Sequence, residues 1–260
     1  MTVILPKNAL IPYYTLCDPD YHFSKTLILE SFKSGADAIE IGIPFSDPIA
    51  DGPVIQQSHQ RVLSSQLDIN LKNGFDLVKD IRRTEKKPLI FMMDANLLLK
   101  YGVEKFFKDA NKAGLNGVII PNLALNDAEK MSALAKKNKV DLILLVSPFS
   151  DSKRVKKTVS LSSGFVYVIS SSGTTGERTK FNESLESFVK SVKKMSHIPA
   201  LIGFGISHPK QFRDICSYAD GGIVGSHFVR IIEDNLSNKQ RAIKLITERI
   251  REFKHAIACR

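Results

Sequence analysis

No apolar run in this 260-residue chain reaches the ~18 residues that a membrane span requires. The amino terminus, Met-Thr-Val-Ile-Leu-Pro-Lys, lacks the charged start and long apolar core of a signal peptide. The three cysteines, Cys17, Cys216 and Cys259, lie far apart and form no Cys-x-x-Cys pair. Neither a zinc site nor a disulfide framework is suggested, and a reduced, cytoplasmic setting is expected. There is no linker rich in Pro, Gly or Ser, no low-complexity tract and no sharp internal repeat, so one domain over residues 1–260 is the economical reading.

Other absences bear on chemistry. No Gly-x-Gly-x-x-Gly turn follows the first candidate strand, which leaves a dinucleotide fold without support. No lysine sits at a candidate strand end, as a Schiff-base mechanism would need; Lys87 precedes the third strand, on the wrong side. His22, His59, His197 and His255 are scattered, and each reads as surface or packing. His208 and His227 fall near glycine loops, and neither reads as a metal ligand. The formal charge is +10, but the lysines and arginines spread over many helices without interleaved aromatics. That pattern reads as solvated helix faces, with neither a nucleic-acid nor a membrane partner. A positive field still attracts a phosphorylated substrate.

What is present concentrates between Glu40 and Pro53, which reads Glu-Ile-Gly-Ile-Pro-Phe-Ser-Asp-Pro-Ile-Ala-Asp-Gly-Pro. It starts as a strand and ends as a loop carrying Asp-Pro and Asp-Gly turn signals. Ile39, Ile41 and Ile43 share one face of that strand; Ala38, Glu40 and Gly42 share the other. The plain reading is a half-exposed strand with Asp47 and Asp51 as turn formers. In a parallel sheet covered on both faces Glu40 would instead be buried, at a cost of several kcal/mol unless offset.

Eight short apolar runs fit strands: Leu10–Thr15, Ala38–Ile43, Leu89–Met93, Gly117–Pro121, Leu142–Val146, Phe165–Ile169, Ala200–Phe204 and Gly222–Val224. Helical patterns lie between them. Val103, Phe106, Phe107 and Ala110 share a face, as do Ala128, Met131, Leu134 and Ala135. The stripe Ile243, Ile246, Ile250, Phe253 and Ile257 suits a closing helix better than a partner-binding seam. Eight alternations in this length predict an α/β fold, a (β/α)8 TIM barrel, with a doubly wound open sheet as the alternative.

In a barrel, chemistry sits where strands end. Glu40 then points inward, and Asp51 lies on the loop that leaves the same strand. Gly203-Phe204-Gly205-Ile206-Ser207 and Gly222-Ile223-Val224-Gly225-Ser226 end the last two strands. Both fit a phosphate cradle of close backbone and helix-start amides; otherwise they are ordinary glycine turns with Ser207 as an N-cap. Ser170 to Arg178 reads as a mobile lid or a solvated loop. Glu40, Asp47 and Asp51 have the oxygens for Mg²⁺, but acid–base work is favoured because the phosphate already has backbone donors.

With Ile39 to Pro53, the run Gly164-Phe165-Val166-Tyr167 through Gly173-Thr174-Thr175-Gly176, Gly203 to Ser207, and Gly225-Ser226, the chain resembles the tryptophan synthase α-subunit family along nearly its whole length. The Glu40 to Gly52 pattern is specific to that family, whereas the glycine motifs occur in other phosphate-binding barrels. The resemblance implies retro-aldol cleavage of indole-3-glycerol phosphate to indole and glyceraldehyde 3-phosphate. It implies Glu40 as general acid–base and Asp51 as the anion facing the indole N–H. By the same resemblance Tyr13, Tyr167 and Phe204 shape the indole pocket, and Gly176, Gly205, Gly225 and Ser226 hold phosphate. Thr175 is the closing-loop threonine, and Asp47 belongs to the region that signals to the partner. That partner is a pyridoxal-phosphate β subunit in an α2β2 heterotetramer; the α subunit itself needs no cofactor.

The chain departs from the family pattern at several places. Asp94 stands where Tyr is usual, Asn122 where Asp is usual, and Ser171 where Arg is common; only nine residues precede the first candidate strand. A third carboxylate near the pocket would raise the pKa values of Glu40 and Asp51. Two readings therefore stand side by side: a lyase working with a β subunit, and a catalytically impaired barrel acting mainly as allosteric activator of that subunit. An unrelated sugar-phosphate isomerase barrel leaves the Glu40 to Gly52 match unexplained.

Overall fold

The computed structural model describes residues 2–65, 69–169, 183–203 and 205–258. Strands and helices alternate in chain order: β1 (Ala9–Thr15), α1 (Tyr21–Lys33), β2 (Ile39–Gly42), α2 (Pro53–Ser64), α3 (Leu71–Arg82), β3 (Leu89–Met92), α4 (Ala95–Tyr101), α5 (Val103–Ala113), β4 (Gly117–Ile119) and α6 (Leu125–Lys137). There follow β5 (Asp141–Ile143), β6 (Leu145–Val146), α7 (Ser152–Leu161), β7 (Val166–Ile169), α8 (Glu183–Met195), β8 (Ala200–Gly203), α9 (Pro209–Ile215), β9 (Gly221–Val224), α10 (Ser226–Glu233) and α11 (Lys239–Ala258).

All pairings are parallel, in the order β5-β4-β3-β2-β1-β9-β8-β7-β6. The two ends of that order are adjacent in the chain. β5 pairs with β4, β6 pairs with β7, and only Leu144 separates them. The Leu144 carbonyl accepts from the Tyr167 N–H at 3.1 Å, so the sheet closes through this bend. The ninth strand is thus the predicted fifth strand split in two. One continuous segment serves a neighbour on each side, and its ladder breaks where it changes partner. The architecture is a (β/α)8 TIM barrel.

Period-2 alternation sorts the strand residues into two cores. Ile39, Ile41 and Ile43 join the large cluster between sheet and helices. Ile11, Tyr13, Ile90, Met92, Ile119, Ile143, Phe165, Tyr167, Leu201 and Ile223 fill the barrel interior. The expected helix faces are buried where the periodicity put them: Phe106, Phe107 and Ala110 on α5, Ala128, Met131 and Ala135 on α6. Ile246, Ile250 and Phe253 turn α11 onto its own barrel, where Phe253 packs edge-on against Phe212 and Phe228. The segment before β1 closes the lower end. Val3 packs into the interior cluster with Leu5 beside it, and the Val3 N–H donates to the buried Asp141 Oδ2 at 2.6 Å. Among the described residues no helix is long and apolar enough to cross a membrane.

Candidate active site

Glu40 occupies the middle of β2 on the interior face, paired in register with Tyr13 of β1 and Ile90 of β3. It is 1% exposed. Asp51 ends the loop that follows β2 and is 6% exposed. Gly52 and Pro53 start α2 immediately after it, proline being tolerated in a first helical turn. The Gln56 side chain donates back to the Asp51 carbonyl at 2.8 Å. Glu40 Oε2 and Asp51 Oδ1 are buried with no hydrogen-bond partner among the described residues. An unpartnered buried carboxylate resists ionisation. Burial pushes the Glu40 carboxyl up to about 8, with the Asp51 charge adding to the rise. Burial pushes Asp51 up to about 7. Near neutral pH the pair therefore holds about one proton, mainly on Glu40.

Two phenols border this pair. Tyr13 and Tyr167 are both buried, and both are raised well above the ordinary phenol value, first by burial and then by the charges of the two carboxylates. Four expected site residues from β1, β2, β7 and the loop after β2 thus converge at the carboxyl end of the barrel. A cavity of about 230 Å³ opens beside them, lined by Tyr13, Phe45, Asp51, His59, Met92, Asp94 and neighbours. That volume lies below the ~300–1,000 Å³ of sites for drug-sized ligands and suits a compact ring system.

Next to β1 in the sheet, β9 and then β8 end in the two glycine motifs. Gly205 has φ +81°, a left-handed conformation that glycine adopts without penalty. Gly225 precedes α10, and Ser226 opens it. The Ser207 N–H, the Ser207 hydroxyl and the His208 N–H all donate to Gln211 Oε1, at 2.9, 3.2 and 3.0 Å. The N-cap position is His208. Ser207 is therefore not the cap, and its amide is already committed. Phe204, Thr175, Gly176 and the rest of the candidate lid, with Ser171, lie outside the described residues, as does Cys259.

Asp47 is exposed on the loop between Glu40 and Asp51, beside a shallow polar depression with Gln56, Gln57 and Gln60. Asp94 departs from its expected effect. It lines the cavity, yet it is not among the groups that raise Glu40 or Asp51. Its Oδ1 caps α4 through the Asn96 N–H at 2.7 Å, and its Oδ2 accepts from Asn122 Nδ2 at 2.9 Å. The Asn122 oxygen accepts in turn from the Ala95 N–H at 2.9 Å. The two departures from the family pattern thus form one clamp between neighbouring loops. No group of three His, Cys, Asp or Glu among the described residues is placed to hold a metal ion.

The sequence reading missed α2. Ile55, Ser58, His59 and Val62 form its buried stripe. His59 Nδ1 accepts from the Phe45 N–H at 3.2 Å, and Nε2 lies 3.1 Å from the Tyr13 hydroxyl. Ser58 Oγ meets Thr15 Oγ1 at 2.5 Å. One turn on, Arg61 takes both oxygens of buried Asp18 at 3.1 and 2.9 Å and reaches Glu233 of α10 at 2.8 Å. Polar residues at core positions of a helical stripe were the available signal.

Comparison with known proteins gives a consistent answer. The family described as tryptophan synthase alpha chain matches residues 5–258. The tryptophan synthase alpha chain of Petrotoga mobilis is 40% identical over 240 residues, which covers 92% of each chain. That of Methanocaldococcus jannaschii is 41% identical over 231 residues, 88% of this chain and 81% of its own. A chain from the Pyrococcus furiosus tryptophan synthase a2b2 complex superposes with a TM-score of 0.89 at 30% identity, covering 97% of this chain and 100% of that one.

Proposed function

The chain belongs to the tryptophan synthase alpha chain family, and from that premise we propose that Glu40 and Asp51 carry its reaction. That reaction is the cleavage of indole-3-glycerol phosphate to indole and glyceraldehyde 3-phosphate. Protonated Glu40 delivers its proton to the ring carbon that bears the glycerol chain. The ring becomes an indolenine-like cation, and ionised Asp51 stabilises the positive charge at its N–H. The carbon–carbon bond then breaks, and its electrons enter the ring to regenerate indole. The glycerol hydroxyl becomes the aldehyde as its proton passes to the Glu40 carboxylate, which is thereby ready for another cycle.

The observation that carries this reading is a pair of buried carboxyls, each with one oxygen lacking a hydrogen-bond partner among the described residues, pushed up to about 8 and about 7. One proton shared by two groups of unlike environment supplies an acid and an anion at the same pH. Tyr13, Tyr167 and Phe204 frame the ring. Gly176, Gly205, Gly225 and Ser226 hold the phosphate, and Thr175 closes over the site. The chain pairs with a β subunit, Asp47 lies toward that partner, and indole passes directly across. Pyridoxal phosphate belongs to the β subunit, and this chain works without a cofactor as one domain in the cytoplasm. We take it as a working lyase, because Asp94 is not among the groups that raise Glu40 or Asp51. Indole release from indole-3-glycerol phosphate, assayed with and without the β subunit, tests the reading. Release that the β subunit stimulates supports it; no release in either case overturns it.

A further inference from the structure

We infer that His59 is a positioning residue of this site: its imidazole staples the loop that carries Asp51 to the barrel wall through the Phe45 N–H and the Tyr13 hydroxyl. The inference rests on the proposed roles of Glu40 and Asp51. Asp51 is held on a segment that leaves β2 at Gly42 and re-enters regular structure at Pro53. Exposed Ile49, at 76%, lies between them, so the loop has little apolar anchorage of its own. His59 is 4% exposed, on the second turn of the helix that Asp51 precedes. From there it reaches back to Phe45, at the start of the same loop, at 3.2 Å. It also reaches Tyr13, the β1 residue in register with Glu40, at 3.1 Å. One ring thus ties the start of the loop to the helix that follows it and to one wall of the cavity.

The protonation pattern is determined by the backbone. The Phe45 N–H can only donate, so Nδ1 must be the unprotonated nitrogen, and Nε2 carries the proton toward Tyr13. Burial holds the imidazole down to about 4, so this neutral tautomer persists through the working range. The Tyr13 hydroxyl interacts onward with Thr15, Thr15 with Ser58, and Ser58 Oγ donates to the Ile55 carbonyl at 2.7 Å. The chain starts at a backbone donor and ends at a backbone acceptor. Along it the Thr15–Ser58 contact ties β1 to α2. Neither Tyr13 nor His59 makes a hydrogen bond to Glu40 Oε2 or Asp51 Oδ1. The charged and titratable groups around this chain are Asp51 from the loop, Glu40 from β2, Tyr167 from β7, Asp18 after β1 with Arg61 of α2, and Glu233 of α10.

Asp51 contributes to the rise of Glu40. Loosening the staple should therefore change catalysis and the titration of Glu40 together. His59→Leu keeps much of the volume and removes both polar contacts. His59→Gln offers one acceptor and one donor in the same region. We expect His59→Leu to lower kcat by about 10²-fold with a small change in KM, as for a reacting group displaced by about an ångström. Its alkaline limb in kcat/KM should move to lower pH, because Glu40 loses its neighbour's charge. His59→Gln should recover most of kcat and restore the limb. A His59→Leu enzyme with wild-type kcat, a loss of kcat with the limb unmoved, or a His59→Gln enzyme as impaired as His59→Leu would each overturn the inference. If His59→Leu does not fold, His59→Gln and the ¹⁵N shifts of the wild-type imidazole decide: protonated Nδ1 at neutral pH overturns the staple, and protonated Nε2 with an active Gln variant supports it. Failure of wild-type indole release, or full activity of Glu40→Gln, would instead strike the reading on which the inference rests.

Discussion

Tyr13 occupies the space that a side chain at Gly42 would need: a Cβ at Gly42 would overlap the phenol of Tyr13. Tyr167 stands in the same relation to Gly203. The registers match as well. Tyr13 pairs with Glu40, two residues before Gly42, and Tyr167 pairs with Leu201, two residues before Gly203. On each side of the barrel mouth a tyrosine lies across the next strand, and glycine there admits it. Overpacking typically costs ~1–3 kcal/mol. Gly42→Ala and Gly203→Ala are each expected to destabilise by about that amount in thermal unfolding. Each should also lower kcat/KM for indole release by at least about tenfold, since a displaced ring no longer frames the substrate. Wild-type kinetics in either variant would show that the tyrosine is not fixed where activity needs it.

Asp94→Ala should behave as loss of a helix cap and of one loop clamp. A stability loss of ~1 kcal/mol is expected. The pH dependence of indole release should stay where it is, because Asp94 does not set the Glu40 or Asp51 values. Asp94→Tyr should be no faster than wild type. A faster Asp94→Tyr enzyme, or a shifted profile in either variant, would return Asp94 to the electrostatics of the site.

Much of this was legible in the sequence. Alternation of Ile39, Ile41 and Ile43 with Glu40 sufficed to turn the carboxylate inward, because a strand's period leaves only two faces. The stripes of α5, α6 and α11 were equally plain. The split at Leu144 was not, since it follows from which neighbours each half of the strand meets after closure. The fit of Tyr13 over Gly42 depends on inter-strand register, which no single strand encodes. His59 looked like one more scattered histidine until the loop folded back over it, although Ile55, Ser58, His59 and Val62 had already placed it on a buried face. The expected influence of Asp94 did not appear: its carboxylate sits at a partly exposed loop position, where water screens its charge from the buried pair.

Gly205 separates backbone strain from phosphate recognition. Its φ of +81° makes any side chain costly, by roughly 1–2 kcal/mol, whether or not phosphate binds there. The informative comparison is therefore between indole-3-glycerol phosphate and the same substrate lacking phosphate. In Gly205→Ala the preference for the phosphorylated compound should shrink by about tenfold, as lost backbone approach implies. An unchanged preference would remove Gly205 from the phosphate site.

The carboxyl pair also makes a statement about stability. Glu40 is raised from an ordinary 4.5 to about 8, so the folded state binds its proton more tightly than the unfolded chain does. Stability should therefore fall as pH rises from about 4.5 toward 8, then level off. Asp51, raised to about 7, acts in the same direction. Glu40→Gln removes much of this dependence, and in urea unfolding it should gain on the wild type between pH 5 and pH 8. A wild type whose stability rises across that window relative to Glu40→Gln would mean that Glu40 is not buried as an acid.

The most direct measurement is steady-state indole formation by Glu40→Gln with the β subunit at saturation. The amide keeps the shape of the side chain but cannot cycle a proton. The expected result is a loss of ~10²–10⁴-fold or more in kcat, with folding and β-subunit binding intact. Indole formation at the wild-type rate would contradict the assignment of Glu40 as the acid and base of the reaction.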